Sequence, residues 1–163
     1  MRVLIADDCE IVVERLRTIL AELEGIEVIG QARDAVEATK VILELQPDVV
    51  ILDIRMPKGS GIGVLRNIRQ SKHSPAVIVL TAFPNPQYRK QCLDLGVKFF
   101  FDKATEFHKI IEVLKQIMPA PEVIELKSRD AEREKRFVEA IPSPQKKMAR
   151  LREASDDNIY LRT

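Results

Sequence analysis

Short apolar runs alternate with longer stretches of helical periodicity over the first 119 residues. The apolar runs predict five strands, Arg2–Ala6, Ile26–Gln31, Asp48–Asp53, Ala76–Leu80 and Val97–Phe101. The stretches between and after them predict five helices, Ile11–Leu23, Ala35–Leu45, about Ile62–Gln70, Pro86–Leu95 and Thr105–Pro119. Strict alternation of strand and helix with short connections is typical of an α/β fold with a doubly wound, five-stranded parallel sheet.

The helical periodicity also predicts which side chains face the core. In the first helix the residues that recur at the spacing of an apolar stripe are Ile11, Val12, Leu16, Ile19, Leu20 and Leu23. In the second helix we expect Val36, Ile42 and Leu45 to point inward.

The third predicted strand runs directly into a carboxylate. Val49–Leu52 is a continuous apolar run, which indicates a strand buried on both faces, and Asp53 follows it. Ligand sites of open α/β sheets gather outside the carboxyl ends of the strands. Asp7 and Asp8 follow the first strand and reach the same edge.

Three carboxylates at one edge raise one another's pKa, and a divalent cation relieves that repulsion. Oxygen ligands suit Mg²⁺, which proteins hold through one or two carboxylates and a phosphate. Thr81 ends the fourth strand and Lys103 follows the fifth, so that a hydroxyl and an ammonium join the set. The combination predicts phosphoryl transfer with Asp53 as the nucleophile and Mg²⁺ as the cofactor.

Each of these residues has an ordinary interpretation when it is taken alone. An Asp-Asp pair after a strand often caps a helix, Thr81 fits a turn, and Lys103 fits a solvated surface charge. Asp53 alone fits a strand-end turn before Pro57. Four strand ends would have to carry suitable groups by coincidence, and we therefore favour a shared site.

Residues 120–163 have a different composition. Acidic and basic residues are nearly balanced there, and the segments Pro119–Pro121 and Pro142–Pro144 interrupt the surrounding sequence. We predict a charged C-terminal tail, flexible or partly helical, after a domain of residues 1–119. The alternative is a docking segment whose apolar stripe is formed by Phe137, Val138 and Ile141, or by Met148 and Leu151.

Composition narrows the class of partner. The 163 residues are 45% hydrophobic and 31% charged, with a formal net charge of +1, which is typical of a globular protein and requires neither nucleic acid nor a membrane. The start of the chain lacks a signal-peptide pattern, and no apolar run reaches membrane-spanning length. We therefore expect a cytoplasmic protein.

Taken together, these motifs resemble the receiver domain of two-component response regulators over residues 1 to about 119, without a recognisable output domain. The resemblance rests on Asp7-Asp8, the segment Asp53–Pro57 with Gly59 and Gly61, Thr81-Ala82, and Phe100 followed by Asp102-Lys103. It implies the (βα)5 flavodoxin-like form of the α/β fold.

The resemblance also implies the role of each residue. Asp53 would accept a phosphoryl group from the phosphohistidine of a sensor histidine kinase. Asp8, Asp53 and the Arg55 backbone carbonyl would bind Mg²⁺ with help from Asp7, and Lys103 would pair with the phosphoryl oxygens. Thr81 would then move toward the phosphoryl group and let Phe100 turn inward, which would remodel the surface of the fourth helix, fifth strand and fifth helix.

Two departures from the usual receiver pattern change the expectations. Ala104 follows Lys103 where receivers commonly have proline, which predicts a different turn into the last helix. Arg55 and Phe83 lie two residues after Asp53 and Thr81, at positions that the resemblance associates with access of water to the phosphoryl group. Because both side chains are large, we predict slow self-dephosphorylation.

Other functions explain the sequence less well. Phosphatases of the haloacid-dehalogenase type need a second aspartate two residues after the nucleophile, where this chain has Arg55. A DNA-binding output domain needs a core of its own and a basic surface, which the nearly neutral tail does not supply.

We therefore expect a single-domain regulator, a phosphoacceptor rather than an enzyme, that acts through protein contacts. It either binds a downstream protein target or passes its phosphoryl group to a histidine phosphotransfer protein. Dimerisation through the switched surface is left open.

Overall fold

A computed structural model describes residues 1–118 of the chain. Five strands and five helices alternate along it: β1 Arg2–Ala6, α1 Glu10–Ala21, β2 Glu27–Ala32, α2 Ala35–Leu45, β3 Val49–Leu52, α3 Gly61–Arg69, β4 Ala76–Thr81, α4 Pro86–Asp94, β5 Phe99–Asp102 and α5 Lys109–Ile117. The predicted α/β fold is confirmed.

The five strands form one parallel sheet in the order β2-β1-β3-β4-β5. β3 is central, since Val49 pairs with Val3 on one side and with Ala76 on the other. The order of strand addition reverses between β1 and β3, and the crevice for a ligand in such sheets lies at the carboxyl ends of the strands beside that point.

The sheet separates two apolar cores because successive strand side chains point to opposite faces. Val49 and Ile51 of β3 pack with α1 and α5, whereas Val50 and Leu52 pack with α2, α3 and α4. All four residues are at most 2% exposed. A strand buried on both faces has no polar position, which explains the uninterrupted apolar run that precedes Asp53.

Two predictions of inward-facing side chains were wrong. Ile11 is 81% exposed, because Val13, Leu16 and Leu20 form the buried stripe of α1 and Ile11 lies two residues off it, about 200° around the helix. Val36 is 62% exposed, because Ala35, Ala38 and Ile42 face the core of α2.

The region before α5 also differs from the prediction. The helix begins at Lys109 rather than Thr105, and His108 at its N-terminus provides no side-chain cap. Turns occupy the preceding residues, where the Asp102 carboxylate accepts from the Ala104 amide at 2.8 Å and the Glu106 carboxylate accepts from the Asp102 amide at 3.1 Å. These side-chain acceptors hold the turn that replaces the first turn of the predicted helix.

A short antiparallel hairpin between β3 and α3, formed by Arg55–Met56 and Gly59–Ser60, was not predicted. Lys58 at its tip has φ of 55°, and Gly59 has φ of 142°. The predicted tail, residues 120–163, and the docking segment within it lie outside the described residues, so both stay predictions.

Candidate functional site

Backbone hydrogen bonds at the end of the sheet position the central carboxylates. The Asp53 amide donates to the Ala6 carbonyl at 2.8 Å, and the Asp7 amide donates to the Ala32 carbonyl at 3.0 Å. The parallel pairing therefore continues just past β3 and β1 and fixes both backbones at the same edge. Asp7 and Asp53 are 2% and 5% exposed.

Asp8 completes a group of three carboxylates. One oxygen each from Asp7, Asp8 and Asp53 lies within 4.8 Å of the others, and Asp8 is the exposed member. A set of oxygen ligands with one solvent-facing carboxylate fits Mg²⁺, which retains several waters when proteins bind it. The structure thus brings together the three acids that the sequence placed at this edge.

Lys103 lies between two of these carboxylates. Its Nζ is 2.7 Å from Asp53 Oδ2 and 2.6 Å from Asp7 Oδ2, and its side chain is 12% exposed. The Lys103 amide donates to the Thr81 carbonyl at 2.9 Å, so the pairing of β5 with β4 extends to this residue. The pairing of Lys103 with Asp7 had not been predicted.

Burial and ion pairing oppose each other at these groups. Burial raises the pKa of Asp7, and the hydrogen bonds from Lys103 and from the Cys9 amide offset this only in part. For Lys103, burial alone would lower the pKa, but hydrogen bonds to Asp53 and Asp7 outweigh burial and raise it. Lys103 therefore stays protonated at neutral pH.

Thr81 ends β4 in the interior of the protein. It is fully buried, and its Oγ1 accepts a hydrogen bond from the Phe83 amide at 3.2 Å. Phe100, on the neighbouring strand β5, is 5% exposed and lies under the guanidinium of Arg89, 4.6 Å from its ring centroid. Phe100 is thus already turned inward in this structure, and its predicted movement stays a prediction.

Arg55 and Phe83 meet beside the carboxylates. The Arg55 guanidinium lies over the Phe83 ring, 4.2 Å from its centroid, and Phe83 is 50% exposed. The Arg55 amide donates to Asp53 Oδ1 at 3.3 Å. A cation–π contact therefore connects the hairpin to the loop after β4 next to Asp53.

Gly61, which was noted in the sequence only as part of the motif, has a geometric reason to be glycine. A Cβ there would overlap the Asp53 carbonyl oxygen and lie 2.9 Å from Ile54 Cα. The Gly61 amide also donates to the Ile54 carbonyl at 2.8 Å. The start of α3 thus packs directly on the backbone that carries Asp53.

Two further residues near the site were missed by the sequence analysis. Arg66 of α3 and Tyr88 of α4 line the cavity that contains Asp53. Neither is at a strand end, and their helical positions gave no signal of a common cavity. Among residues 1–118, no helix combines the length and apolar character needed to cross a bilayer.

Comparison with known proteins places this geometry in a family. The family model of the response regulator receiver domain matches residues 3–115. The uncharacterized transcriptional regulatory protein YhcZ of Bacillus subtilis is 34% identical over 112 residues, which are 69% of this chain and 52% of YhcZ. The protein-glutamate methylesterase/protein-glutamine glutaminase 5 of Myxococcus xanthus is 43% identical over 82 residues, which are 50% of this chain and 24% of the relative.

A similar solved structure is that of the CheX-CheY-BeF3-Mg²⁺ complex from Borrelia burgdorferi. The similarity has a TM-score of 0.61 at 34% identity and covers 70% of this chain and 89% of the solved chain. The chain spans about half or less of the length of the curated relatives named above. From the five-stranded parallel sheet, the acidic cluster and the family match, we conclude that this chain belongs to the response regulator receiver domain family.

Proposed function

We propose that this chain is a phosphorylation-controlled regulator in which Asp53 accepts a phosphoryl group from a sensor histidine kinase. The observation that carries the proposal is the position of Lys103 Nζ, within 2.7 Å of both Asp53 and Asp7 at the carboxyl edge of the sheet. A lysine held between a reactive carboxylate and a second acid provides positive charge where a phosphoryl group brings negative charge.

In this reaction an Asp53 oxygen attacks phosphorus, and the phosphorus–nitrogen bond of the kinase's phosphohistidine breaks. The Arg55 amide, which donates to Asp53 Oδ1, helps to orient the nucleophile. The Lys103 ammonium pairs with Asp53 Oδ2 before the reaction and with a phosphoryl oxygen after it. Asp53 is thus a phosphoacceptor that takes part in its own phosphorylation, rather than a residue of an enzyme that turns over a separate substrate.

Receiver domains bind Mg²⁺ at an acidic pocket, and the carboxylate cluster of this chain fits that ion. Asp7, Asp8, Asp53 and the Arg55 backbone carbonyl would hold it. When bound, Mg²⁺ supplies positive charge that neutralises the carboxylates and the phosphoryl oxygens.

The output we propose is a change of the surface formed by α4, β5 and α5. Thr81 Oγ1 accepts a hydrogen bond from the Phe83 amide, and the Thr81 hydroxyl would donate its own proton to a phosphoryl oxygen. A shift of Thr81 would also move the end of β5, because the Lys103 amide donates a hydrogen bond to the Thr81 carbonyl. The changed surface would bind a downstream protein in the cytoplasm, where we place this chain.

Phosphorylation can be tested by intact-mass measurement after incubation with phosphoramidate. We expect the wild-type chain to gain one phosphoryl group with Mg²⁺ and none with EDTA, because the acidic cluster needs the ion. Asp53→Asn should gain none, whereas the matched control Asp94→Asn, an exposed aspartate of α4, should behave as wild type. An adduct that persists in Asp53→Asn would refute the assignment of the phosphoacceptor.

A second candidate is a DNA-binding regulator, because YhcZ, at 34% identity, is named as a transcriptional regulatory protein. Fluorescence anisotropy of the phosphorylated full chain with duplex DNA tests it, and no salt-sensitive binding would exclude it. Transfer of the phosphoryl group to a histidine phosphotransfer protein would instead identify a relay intermediate.

A further inference from the structure

The cavity that contains Asp53 extends beyond the acidic cluster. Its volume is about 920 Å³, within the range of pockets that bind small organic molecules. The helices α3 and α4 contribute one part of its wall, which we call the α3–α4 wall. That wall is formed by Ile62, Arg66, Tyr88 and Gln91.

Among residues 1–118, three cationic side chains line the cavity, and two of them contact other side chains. Lys103 pairs with Asp7 and Asp53, and Arg55 lies over the Phe83 ring. Within residues 1–118, no carboxylate lies within 4.0 Å of the Arg66 guanidinium. Of these three cations, Arg66 is therefore the one that has no carboxylate partner in the described part of the chain and can pair with an incoming anion.

Arg66 lies on the helix that begins beside the reacting carboxylate. Long side chains on a helix lean toward its N-terminus, and α3 begins at Gly61, which packs on the Asp53 carbonyl. The half-buried phenol of Tyr88 and the amide of Gln91 add neutral hydrogen-bond donors from α4 to the same cavity. A guanidinium with such donors is a recognition set for a carboxylate.

We propose that Arg66, assisted by Tyr88 and Gln91, binds the acyl end of small acyl phosphate donors, an inference that rests on Asp53 being the phosphoacceptor. As an Asp53 oxygen forms its bond to phosphorus, the bond between phosphorus and the bridging acyl oxygen breaks. The electron pair leaves with that oxygen, and the product is a carboxylate anion. No proton, oxidant or reductant is consumed, and Arg66 stabilises the charge that develops on the leaving group.

The test compares two phosphoryl donors on the full chain with Mg²⁺. Acetyl phosphate releases a carboxylate, whereas phosphoramidate releases ammonia, which a guanidinium does not bind. For Arg66→Gln we expect the phosphorylation rate constant per donor concentration to fall about tenfold with acetyl phosphate, as for loss of a hydrogen bond to a charged group. The rate with phosphoramidate should be unchanged.

Two further variants separate local from general effects. Tyr88→Phe removes one hydroxyl and should slow only the acetyl phosphate reaction, by about threefold. Lys90→Gln removes one positive charge from an exposed position of α4 outside the cavity wall and should leave both rates unchanged. Circular dichroism of each variant checks that the fold is kept.

The outcomes distinguish a failure of the Arg66 assignment from a failure of the proposed function. Equal loss with both donors, no loss with acetyl phosphate, or an equal loss in Lys90→Gln overturns the Arg66 assignment and leaves the proposed function standing. A wild-type chain that reacts with phosphoramidate but not with acetyl phosphate also overturns the Arg66 assignment and leaves the proposed function standing. A wild-type chain that gains a phosphoryl group from neither donor overturns the proposed function itself.

Discussion

At the scale of single residues, the site depends on how its buried charges are compensated. Lys103 is shared between Asp53 and Asp7, so one ammonium compensates two carboxylates that are each at most 5% exposed. Such compensation is incomplete, because burial still raises the pKa of Asp7. The carboxylate form of Asp7 therefore opposes folding at neutral pH.

The variant Asp7→Asn tests this cost through its pH dependence. A raised folded-state pKa means that the native state binds the Asp7 proton more tightly than the unfolded chain, whose carboxyl has a pKa near 3.8. The destabilisation by the Asp7 carboxylate is absent below the unfolded-state pKa. It reaches its full size once the pH exceeds the raised folded-state pKa. We therefore expect the stability of Asp7→Asn relative to wild type to increase from about pH 3.5 to pH 7.5.

Urea denaturation without Mg²⁺ at several pH values measures this difference in unfolding free energy. If the asparagine side chain also changes the unfolding free energy in a way that does not depend on pH, the difference shifts by the same amount at every pH. The trend with pH is then unchanged. If the unfolding free energy of the variant relative to wild type does not change with pH, or falls as the pH rises, the assigned direction of the Asp7 pKa shift is wrong.

Phe83 should control how long the phosphoryl group stays on Asp53. Its ring lies under Arg55 beside the carboxylates, where we expect the pair to limit the approach of water. We expect Phe83→Ala to shorten the phosphoryl half-life severalfold, measured by intact mass after removal of the donor. Leu93→Ala, which truncates another exposed apolar side chain, is the control and should leave the lifetime unchanged. A wild-type half-life of seconds would show that the predicted slow self-dephosphorylation is wrong.

At the scale of elements, the connection from β3 to α3 fixes where the helix begins relative to the sheet. Gly61 begins α3 against the Asp53 backbone and leaves no room for a Cβ, whereas a Cβ at Gly63 would have only Ser60 Oγ nearby, at 3.7 Å. The two glycines, two residues apart, thus have opposite tolerance to substitution.

We expect Gly61→Ala to lower the unfolding free energy by about 2 kcal/mol, because the backbone it would meet cannot rotate away. Gly63→Ala should be neutral or raise it by up to about 1 kcal/mol, because alanine favours a helix interior. Denaturant titration of both variants measures the contrast. Equal stability of the two variants would show that the close packing at Gly61 carries no energetic weight.

The elements themselves could be predicted from sequence to different degrees. β1 and α2 have the bounds that periodicity gave, because apolar stripes of full length mark them. Ile11 and Val36 were misassigned, because an apolar residue at a helix start fits more than one stripe until the neighbouring helix is known. The late start of α5 depends on the side chains of Asp102 and Glu106, which periodicity does not report.

At the scale of the whole molecule, the sequence could place the acidic cluster, Thr81 and Lys103 together because a parallel sheet brings strand ends to one edge. It could not give the contacts of Lys103 with Asp7 or of Arg55 with Phe83, which depend on side-chain direction. The α3–α4 wall, which includes Arg66 and Tyr88, depends on the packing of α3 beside α4. The positions of the strand ends do not predict this packing.

We propose that phosphorylation of Asp53 changes the surface formed by α4, β5 and α5. Amide hydrogen exchange, followed by mass spectrometry with Mg²⁺ and with or without phosphoramidate, measures it directly. We predict altered exchange in residues 81–92 and 99–108 of the wild-type chain, which contain Thr81 and Phe100, and no change in Asp53→Asn. Identical exchange in these segments of a wild-type chain that carries the phosphoryl group would show that phosphorylation does not change this surface.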